Sequence, residues 1–289
     1  MSKKLSIILF LAASYLSALA QKPDSVLARV RYTYLNNTDT LKGGKTRTEN
    51  MLLFVGKNAS LYTSYSKIIY ELSEDQKSRA RAMARAGSGS TPIAVKIDKS
   101  AGDWLSKTNY LFFRKEKKAI TKEDIIGFGY LIEEPLPELN WQITKDTATF
   151  SGLHCQKALA TLDGKNWIAW FAPSLPFQSG PWKLQGLPGL IIAAADQQNS
   201  IQFQFAGFEK ASPGDFVREN DIRKNAGSRP GDINTVDVGL GLDVAGAYFD
   251  NIIKVADYQT VKTTRKEFEK LKAAFKKDPK GFLRTQMGF

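Results

Sequence analysis

The chain reads as a mainly β protein: one large antiparallel sheet, curved or half-barrel, with a helical insertion and a C-terminal helix. Three observations predict this. Short segments carrying apolar residues at every second position recur along most of the chain. Turn signals separate them, among them Gly56-Lys-Asn-Ala59, Ser151-Gly152 and Asp163-Gly164, and Asp-Gly between two apolar segments is a strong hairpin signal. Helical composition is confined to two stretches, so about nine or ten strands follow one another as a meander.

The first predicted strand spans residues 26–34. Val26, Ala28, Val30, Tyr32 and Tyr34 share one face, with Leu27, Arg29, Arg31 and Thr33 on the other. Residues 49–55 and 60–66 flank Gly56-Lys-Asn-Ala59 as a hairpin. Residues 67–86, with Arg79-Ala-Arg-Ala-Met-Ala-Arg85, have helical composition, and Gly87-Ser-Gly-Ser90 closes this insertion as a flexible linker. Further strands are expected at residues 104–114, 128–132, 139–144, 147–150, 155–162, 166–171, 190–195 and 201–205. Residues 210–234 are polar, rich in charge, Gly and Pro, and read as a surface loop. Strands are expected again at 236–244 and 247–260. Phe268, Leu271 and Phe275 then form a helical stripe over residues 265–277, and Asp278-Pro279 stops that helix. This divides the chain into a β-rich unit, 21–209, and a segment 210–289 expected to pack on it.

The N-terminus predicts export. Lys3 and Lys4 precede an apolar run over residues 5–19, and Ala18-Leu-Ala20 is a small-x-small cleavage site, so residues 1–20 read as a signal peptide. The run is shorter than the roughly 20 residues that span a bilayer, and no later segment reaches that length. Gln21, not Cys, follows the expected cut, which argues against a lipid anchor. A periplasmic or extracellular location follows. The single cysteine, Cys155, cannot form an intrachain disulfide and is either a buried structural thiol or a partner for another chain, the buried reading being favoured by its strand-like neighbours. The 41 Lys and Arg against 29 Asp and Glu give a formal charge of +12, two fewer without Lys3 and Lys4. These basic residues are scattered along the whole chain, which reads as a solvated surface rather than a nucleic-acid stripe.

The chemistry-bearing residues are sparse. The only histidine, His154, adjoins Cys155, and neighbours on a strand point to opposite faces, so a shared metal ion is not expected. No Gly-x-Ser-x-Gly elbow is present. Gly44-Lys-Thr46 lacks the opening glycine of a phosphate loop, since position 39 is Asp39, and Gly239-Leu-Gly241 lacks the third glycine of a dinucleotide fingerprint, which falls at Val244. No cofactor is therefore expected. Glu133, Glu134 and Glu138 flank Pro135 and Pro137, in what reads as an exposed turn; they are the candidates for a carboxylate-based hydrolase.

The aromatic residues carry more. Trp141, Trp167, Trp170, Phe171, Phe177 and Trp182 fall close together. On strand 166–171, Trp167, Ala169 and Phe171 share one face while Ile168 and Trp170 share the other. A strand apolar on both faces is sandwiched or lines a covered cavity. The stretch 180–192 follows, with Gly180-Pro-Trp182 and Gly186-Leu-Pro-Gly-Leu190 shaping an apolar loop that runs into a buried strand. Pro188-Gly189 suits a type II turn with Gly189 at positive φ. Trp170, Pro181, Trp182, Gly186, Leu187, Pro188, Gly189 and Leu190 are the candidate ligand- or partner-binding residues, none of them a nucleophile or a metal ligand.

Gly186-Leu-Pro-Gly-Leu-Ile191 resembles the signature of the GLPGLI family of exported Bacteroidetes proteins. Three upstream segments extend the resemblance: Gly152-Leu-His-Cys-Gln-Lys-Ala158, Trp167-Ile-Ala-Trp-Phe171 and the run from Pro176 to Trp182. The chain departs from the family pattern at Lys165-Asn166, where an Arg is common, and at Leu184, where an aromatic is common. Together the matches cover residues 130–206 and imply kinship among exported proteins without a particular activity. Asp24-Ser-Val26, Asp39-Thr-Leu41 and Asp146-Thr-Ala148 resemble the short O-glycosylation triplets of such proteins. In strand order and apolar inner face the chain looks similar to periplasmic lipoprotein carriers. The expectation is a non-enzymatic envelope protein that binds a lipophilic ligand or an outer-membrane component, with residues 170–192 as mouth or cover. The alternatives are an interaction module docking an envelope or transporter protein through 180–192, and the carboxylate hydrolase.

Overall fold

The computed structural model describes residues 23–38, 44–68, 106, 108–125, 128–211, 244–249, 251–255 and 261–287. The expected signal peptide, the triplet at Asp39, the insertion beyond residue 68, the loop 212–234 and the strand expected at 236–243 lie outside them. Residues 65–68 are helical, where the insertion was expected to begin.

The strands are β1 (Asp24–Asn36), β2 (Arg47–Gly56), β3 (Ala59–Ser64), β4 (Asn109–Phe113), β5 (Lys118–Ile125), β6 (Phe128–Pro135) and β7 (Gln142–Phe150), then β8 (Leu153–Leu162), β9 (Lys165–Ala172), β10 (Leu190–Asp196), β11 (Ile201–Lys210), β12 (Ile252–Ile253) and β13 (Val261–Thr263). They form one 13-stranded sheet in the order β13-β6-β5-β4-β3-β2-β1-β11-β10-β9-β8-β7, with β12 pairing β1. The sheet is open. Its neighbours are antiparallel except β13, which pairs β6 in parallel and makes the sheet mixed. The turns follow their residues: Ser151-Gly152 takes φ 50° and 77°, and Asp163-Gly164 takes φ 50° and 74°. Two consecutive positive φ values define the I′ turn that matches strand twist.

Curvature is visible in side-chain contacts. β4 and β9 have five strands between them, and in a flat sheet they would lie roughly 29 Å apart at about 4.8 Å per strand. Yet Trp182 reaches both. Its Nε1 donates to the Tyr110 hydroxyl on β4 at 3.1 Å, and its ring lies 5.3 Å from that of Trp167 on β9. The sheet must therefore curl around the segment that carries Trp182. Its concave face packs Val30, Tyr32, Met51, Leu53, Val55, Trp167, Ala169, Phe171 and Phe203.

The opposite face is covered as well, which explains why every residue of β3 is buried. Leu52, Phe54, Leu61, Leu111 and Phe113 pack there with α1 (Val244–Phe249) and Ile253. This cover corrects the start of the strand expected at 247–260, since residues 244–249 are helical, while Ile252–Ile253 within it does pair with β1 as β12. It also buries Arg29, expected on the solvent side of β1. The guanidinium donates to Asn251 Oδ1 and to the Tyr248 carbonyl at 3.2 Å, and contacts Glu209 at 3.4 Å.

Three other expectations change. β5 is a strand that the sequence pattern does not announce, because Lys118, Lys122, Glu123 and Asp124 interrupt its apolar alternation. Residues 142–150 form one strand with a bulge between Ile143 and Thr147 rather than two short ones. Asp278-Pro279 ends α2 (Arg265–Lys277) but also opens α3 (Pro279–Met287), because proline suits the first helical position and the Asp278 carboxylate accepts the Gly281 N–H at 2.9 Å. Thr264 and Glu267 form a capping box on α2, and Phe268 seats that helix on Tyr130 and Ile132. Arg265 ties it to the sheet through Glu123, Glu134 and, at 3.1 Å, Thr121. Among the described residues, no helix is long and apolar enough to cross a membrane.

Candidate functional site

Residues 173–189, between β9 and β10, fold back onto the concave face. Side-chain bonds from Trp141, just before β7, and Arg114, just after β4, hold them there, and Tyr32 on β1 holds the start of β10 that follows. Tyr32 donates its hydroxyl to the Ile191 carbonyl at 2.7 Å, Trp141 Nε1 donates to the Gln185 carbonyl at 2.7 Å, and Arg114 donates to Ser179 Oγ at 2.9 Å. Burial lowers the pKa of Arg114, with Asp24 acting the other way. Arg114 also bonds the Gly56 and Lys57 carbonyls, so one guanidinium joins the β2–β3 turn to the loop.

The glycines of this loop act differently from the expectation. Gly189 does not take positive φ, so no type II turn forms with it. Its need for glycine is spatial: a Cβ there would overlap the Ala172 carbonyl oxygen. Gly186 carries the left-handed turn instead, at φ 90° with open space around it, and Trp182 also sits left-handed at φ 55°. The hexapeptide Gly186–Ile191 is thus a device for seating the loop and entering β10.

The eight candidate residues separate accordingly. Leu187, at 1% exposure, and Leu190 are buried in the concave core, and Pro181 and Gly189 are buried beside them. Gly186 and Pro188 face solvent. Trp182 lines a cavity. Trp170 lies on the other face of β9, as the alternation requires, with its ring 5.3 Å from that of Phe150 and the Lys157 ammonium 6.0 Å above it. It borders a wide groove of about 500 Å³, floored by Ile168, Ala193 and Ala195 and rimmed by Gln202 and Gln204. The structure does not bring Trp170 and Trp182 into one site.

The cavity that Trp182 roofs measures about 230 Å³. Tyr34, Met51, Tyr62, Tyr110, Trp167, Ile201 and Phe203 form its wall, with Ser106 and Thr108 at one side. The rings interlock: Phe203 stacks on Tyr34 at 5.4 Å and on Trp167 at 6.1 Å, and meets Tyr62 edge-on at 6.3 Å. Of these wall residues the sequence reading singled out Trp167 and Trp182. The others come from β1, β2, β3, β4 and β11, far apart in the chain. The available signal was parity, since Tyr34, Tyr62, Tyr110 and Phe203 each occupy an inward position of a strand that alternates or is apolar throughout.

Two buried carboxylates flank this wall. Glu49 accepts from Ser64 Oγ and from the Ser106 N–H at 2.7 Å, which fixes the residue 106 side of the mouth. Asp196 is 0% exposed and accepts from Ser200 Oγ, from the Ile201 N–H at 2.9 Å and from Lys165 Nζ at 2.9 Å. Its burial acts to raise its pKa, but these hydrogen bonds outweigh burial and hold the carboxyl below its ordinary value. Burial pushes the Tyr62 hydroxyl well above the usual tyrosine range, with Tyr32 and Glu49 adding to it. These tyrosines stay neutral at physiological pH.

Other candidate chemistry disperses. His154 is exposed while Cys155 is buried, as the strand alternation expects. Glu133 and Glu134 are part of β6 rather than of a turn. Being adjacent on a strand they point to opposite faces, Glu133 to Lys118 at 2.5 Å and Glu134 to Arg265 at 2.8 Å. Glu138 lies 3.8 Å from Lys117 on the surface. In the first triplet Asp24 accepts the Asn58 and Ala59 N–H groups at 2.5 and 2.6 Å, and in the third Asp146 pairs with Lys157 at 3.0 Å.

Fold and site together define an open, curved β-sheet protein with an aromatic cavity on its concave face. No family model matches the sequence, and no curated protein matches it. Among solved structures the chain is similar to PNGF-II in two crystal forms. One match has a TM-score of 0.49 and 9% identity, covering 85% of this chain and 32% of that one. The other has a TM-score of 0.44 and 10% identity, covering 68% and 30%. This chain thus spans about a third of the length of the protein it matches.

Proposed function

We propose that this chain is an exported, non-enzymatic binding protein of the cell envelope whose concave cavity holds a small lipophilic ligand beneath Trp182. The cavity itself carries this reading. It is lined by six aromatic rings on the concave face, and the loop that roofs it is held by hydrogen bonds from Arg114 and Trp141. Apolar pockets with a few placed polar groups are the usual form of small-molecule sites. The volume limits the ligand. An apolar cavity of about 150 Å³ accepts benzene, so 230 Å³ suits a ring with a few substituents rather than a lipid acyl chain. Export rests on residues 1–20, and the GLPGLI resemblance agrees with it.

Docking through residues 180–192 draws less support, because Leu187 and Leu190 are buried and Trp182 is held inward by Tyr110. The dispersal of Glu133 and Glu134 weighs against a carboxylate hydrolase. The test is native mass spectrometry of the full chain purified without detergent from a cell envelope. A reproducible added mass of a few hundred daltons or less, released on denaturation, is the expected result. A bare polypeptide mass in repeated preparations, with no uptake of small aromatic probes, refutes the proposal.

A further inference from the structure

The outer face of the sheet over β9, β10, β11 and β1 carries a second feature, separate from the concave cavity. Trp167, Ala169 and Phe171 point inward, so Ile168 and Trp170 point outward, and the strand register extends that face across the neighbouring strands. Trp170 lies opposite Ala193, Ala193 opposite Gln204, Gln204 opposite Thr33, and Thr33 opposite Asn50. Beside this row runs a second, in which Ile168, Ala195, Gln202 and Leu35 are paired in the same way. Residues paired directly across strands share a face. The two alanines are short, so β10 becomes the floor of a trough about 10 Å across from β9 to β11. This trough is the groove of about 500 Å³, a volume usual for small-molecule sites.

Its two walls differ in chemistry. Ile168 and Trp170 make an apolar wall, and Phe150 braces the indole at 5.3 Å while leaving it half-exposed. Gln202 and Gln204 make an amide wall. Gln202 Nε2 donates to the Asn199 carbonyl at 3.3 Å, which leaves the amide oxygen to accept. The exposed Gln204 amide is unengaged among the described residues and offers both donor and acceptor. Lys157, opposite Trp170 on β8, is the charged end of the first row, and Asp146 pairs with it at 3.0 Å. A ligand that fits between these walls has one apolar face, an edge of groups that donate and accept, and no charge. A pyranose ring has that form. Its polarised C–H bonds suit the negative face of an indole, and its hydroxyls, each a donor and an acceptor, suit amides. We propose that this trough is a carbohydrate-binding platform for a neutral oligosaccharide, which stacks one ring on Trp170 and hydrogen-bonds to Gln202 and Gln204 through its hydroxyls. Thr33 and Asn50 continue the polar row for the next sugar. A protein partner fits less well, because the alanine floor lacks the large buried anchors that carry protein interfaces.

The full chain is tested on an immobilised array of gluco-, manno-, galacto- and xylo-oligosaccharides, with oligogalacturonate as the acidic member. The affinity for the strongest neutral binder is then measured by calorimetric titration for wild type, Trp170→Ala and Gln204→Ala. Neutral members are expected to bind, more tightly as the chain lengthens. Trp170→Ala should weaken that binding about tenfold, and Gln204→Ala about fivefold with an unchanged melting temperature, since that side chain is exposed. Uptake of small aromatic probes by the concave cavity should be the same in Trp170→Ala as in wild type, so the two sites are read separately. Binding to no neutral member overturns the proposal. Binding to oligogalacturonate alone, lost in salt and indifferent to Trp170→Ala, also overturns it, because scattered basic residues then suffice. Neutral binding that survives both substitutions unchanged overturns it as well, since the sugar then sits elsewhere.

Discussion

Replacing Trp182 tests whether the loop acts as a strut across the curled sheet. The indole is half-buried between β4 and β9, donates to Tyr110 at 3.1 Å and packs on Trp167. Truncating a fully buried Trp to Ala costs about 3–5 kcal/mol, so a half-buried one forfeits ~2 kcal/mol of packing. The lost hydrogen bond adds ~1 kcal/mol. Trp182→Ala should therefore destabilise by about 3 kcal/mol, a fall in melting temperature of roughly 6–12 °C for a chain of this size. The backbone supplies a second, independent sign. Trp182 holds φ 55°, a conformation any Cβ resists and glycine accepts. Trp182→Gly should thus be more stable than Trp182→Ala by about 1 kcal/mol, the reverse of their usual order. Urea denaturation of the three proteins at neutral pH gives both differences. A Trp182→Ala variant within about 0.5 kcal/mol of wild type refutes the strut, that margin being typical of surface substitutions. A glycine variant less stable than the alanine one refutes the left-handed backbone.

Gly189→Ala is expected to lower stability by about 2–4 kcal/mol in the same assay, because the new Cβ meets the Ala172 carbonyl and backbone must move; a neutral result would mean the loop is not pressed against β9 there. Asp196 has a pKa below its unfolded value, so it contributes stability that is present above the unfolded pKa of about 3.9 and is lost as pH falls through the folded value. Asp196→Asn should cost about 2 kcal/mol at pH 7, reduced by the partial exposure of Lys165, and should flatten the loss of stability between pH 5 and about pH 3. Urea midpoints across that range check it, and an acid dependence identical to wild type contradicts the role assigned to the carboxylate.

Local signals in the sequence carried far in some places and not in others. The β8–β9 hairpin was legible because Asp163-Gly164 forces its own turn and because Trp167, Ala169 and Phe171 alternate without interruption. Helix α2 was legible because Phe268, Leu271 and Phe275 keep helical spacing over residues 265–277. β5 was not, since a strand between two others on a covered sheet can hold Lys122 at 5% exposure once neighbours accommodate its length. Residues 244–249 alternate weakly enough to suit either period, and only the outer face of β2 and β3 decides for helix α1. In Gly186-Leu-Pro-Gly-Leu190 the composition announced a shaped loop, but which glycine takes positive φ depends on the approach of Ala172, a contact 17 residues away in sequence. The cavity was least legible. Its wall gathers Tyr34, Tyr62, Tyr110 and Phe203 from separate strands, and their convergence depends on curvature that no single segment encodes.

Among the described residues the open sheet has two border strands, β7 and β13, at which another copy could continue the ladder, and a closed barrel would have removed both. This chain meets the hazard at each end by different means. On β7 the bulge between Ile143 and Thr147 interrupts the regular spacing of N–H and C=O groups, and exposed Lys145 and Asp146 occupy the interruption. At the other border β13 spans three residues before the chain turns into α2, with Arg265 bonded to Glu123 and Glu134, so an incoming strand finds too short a template to register on. The sheet can thus stay open, with its concave face unclosed, and still resist growing into a fibre.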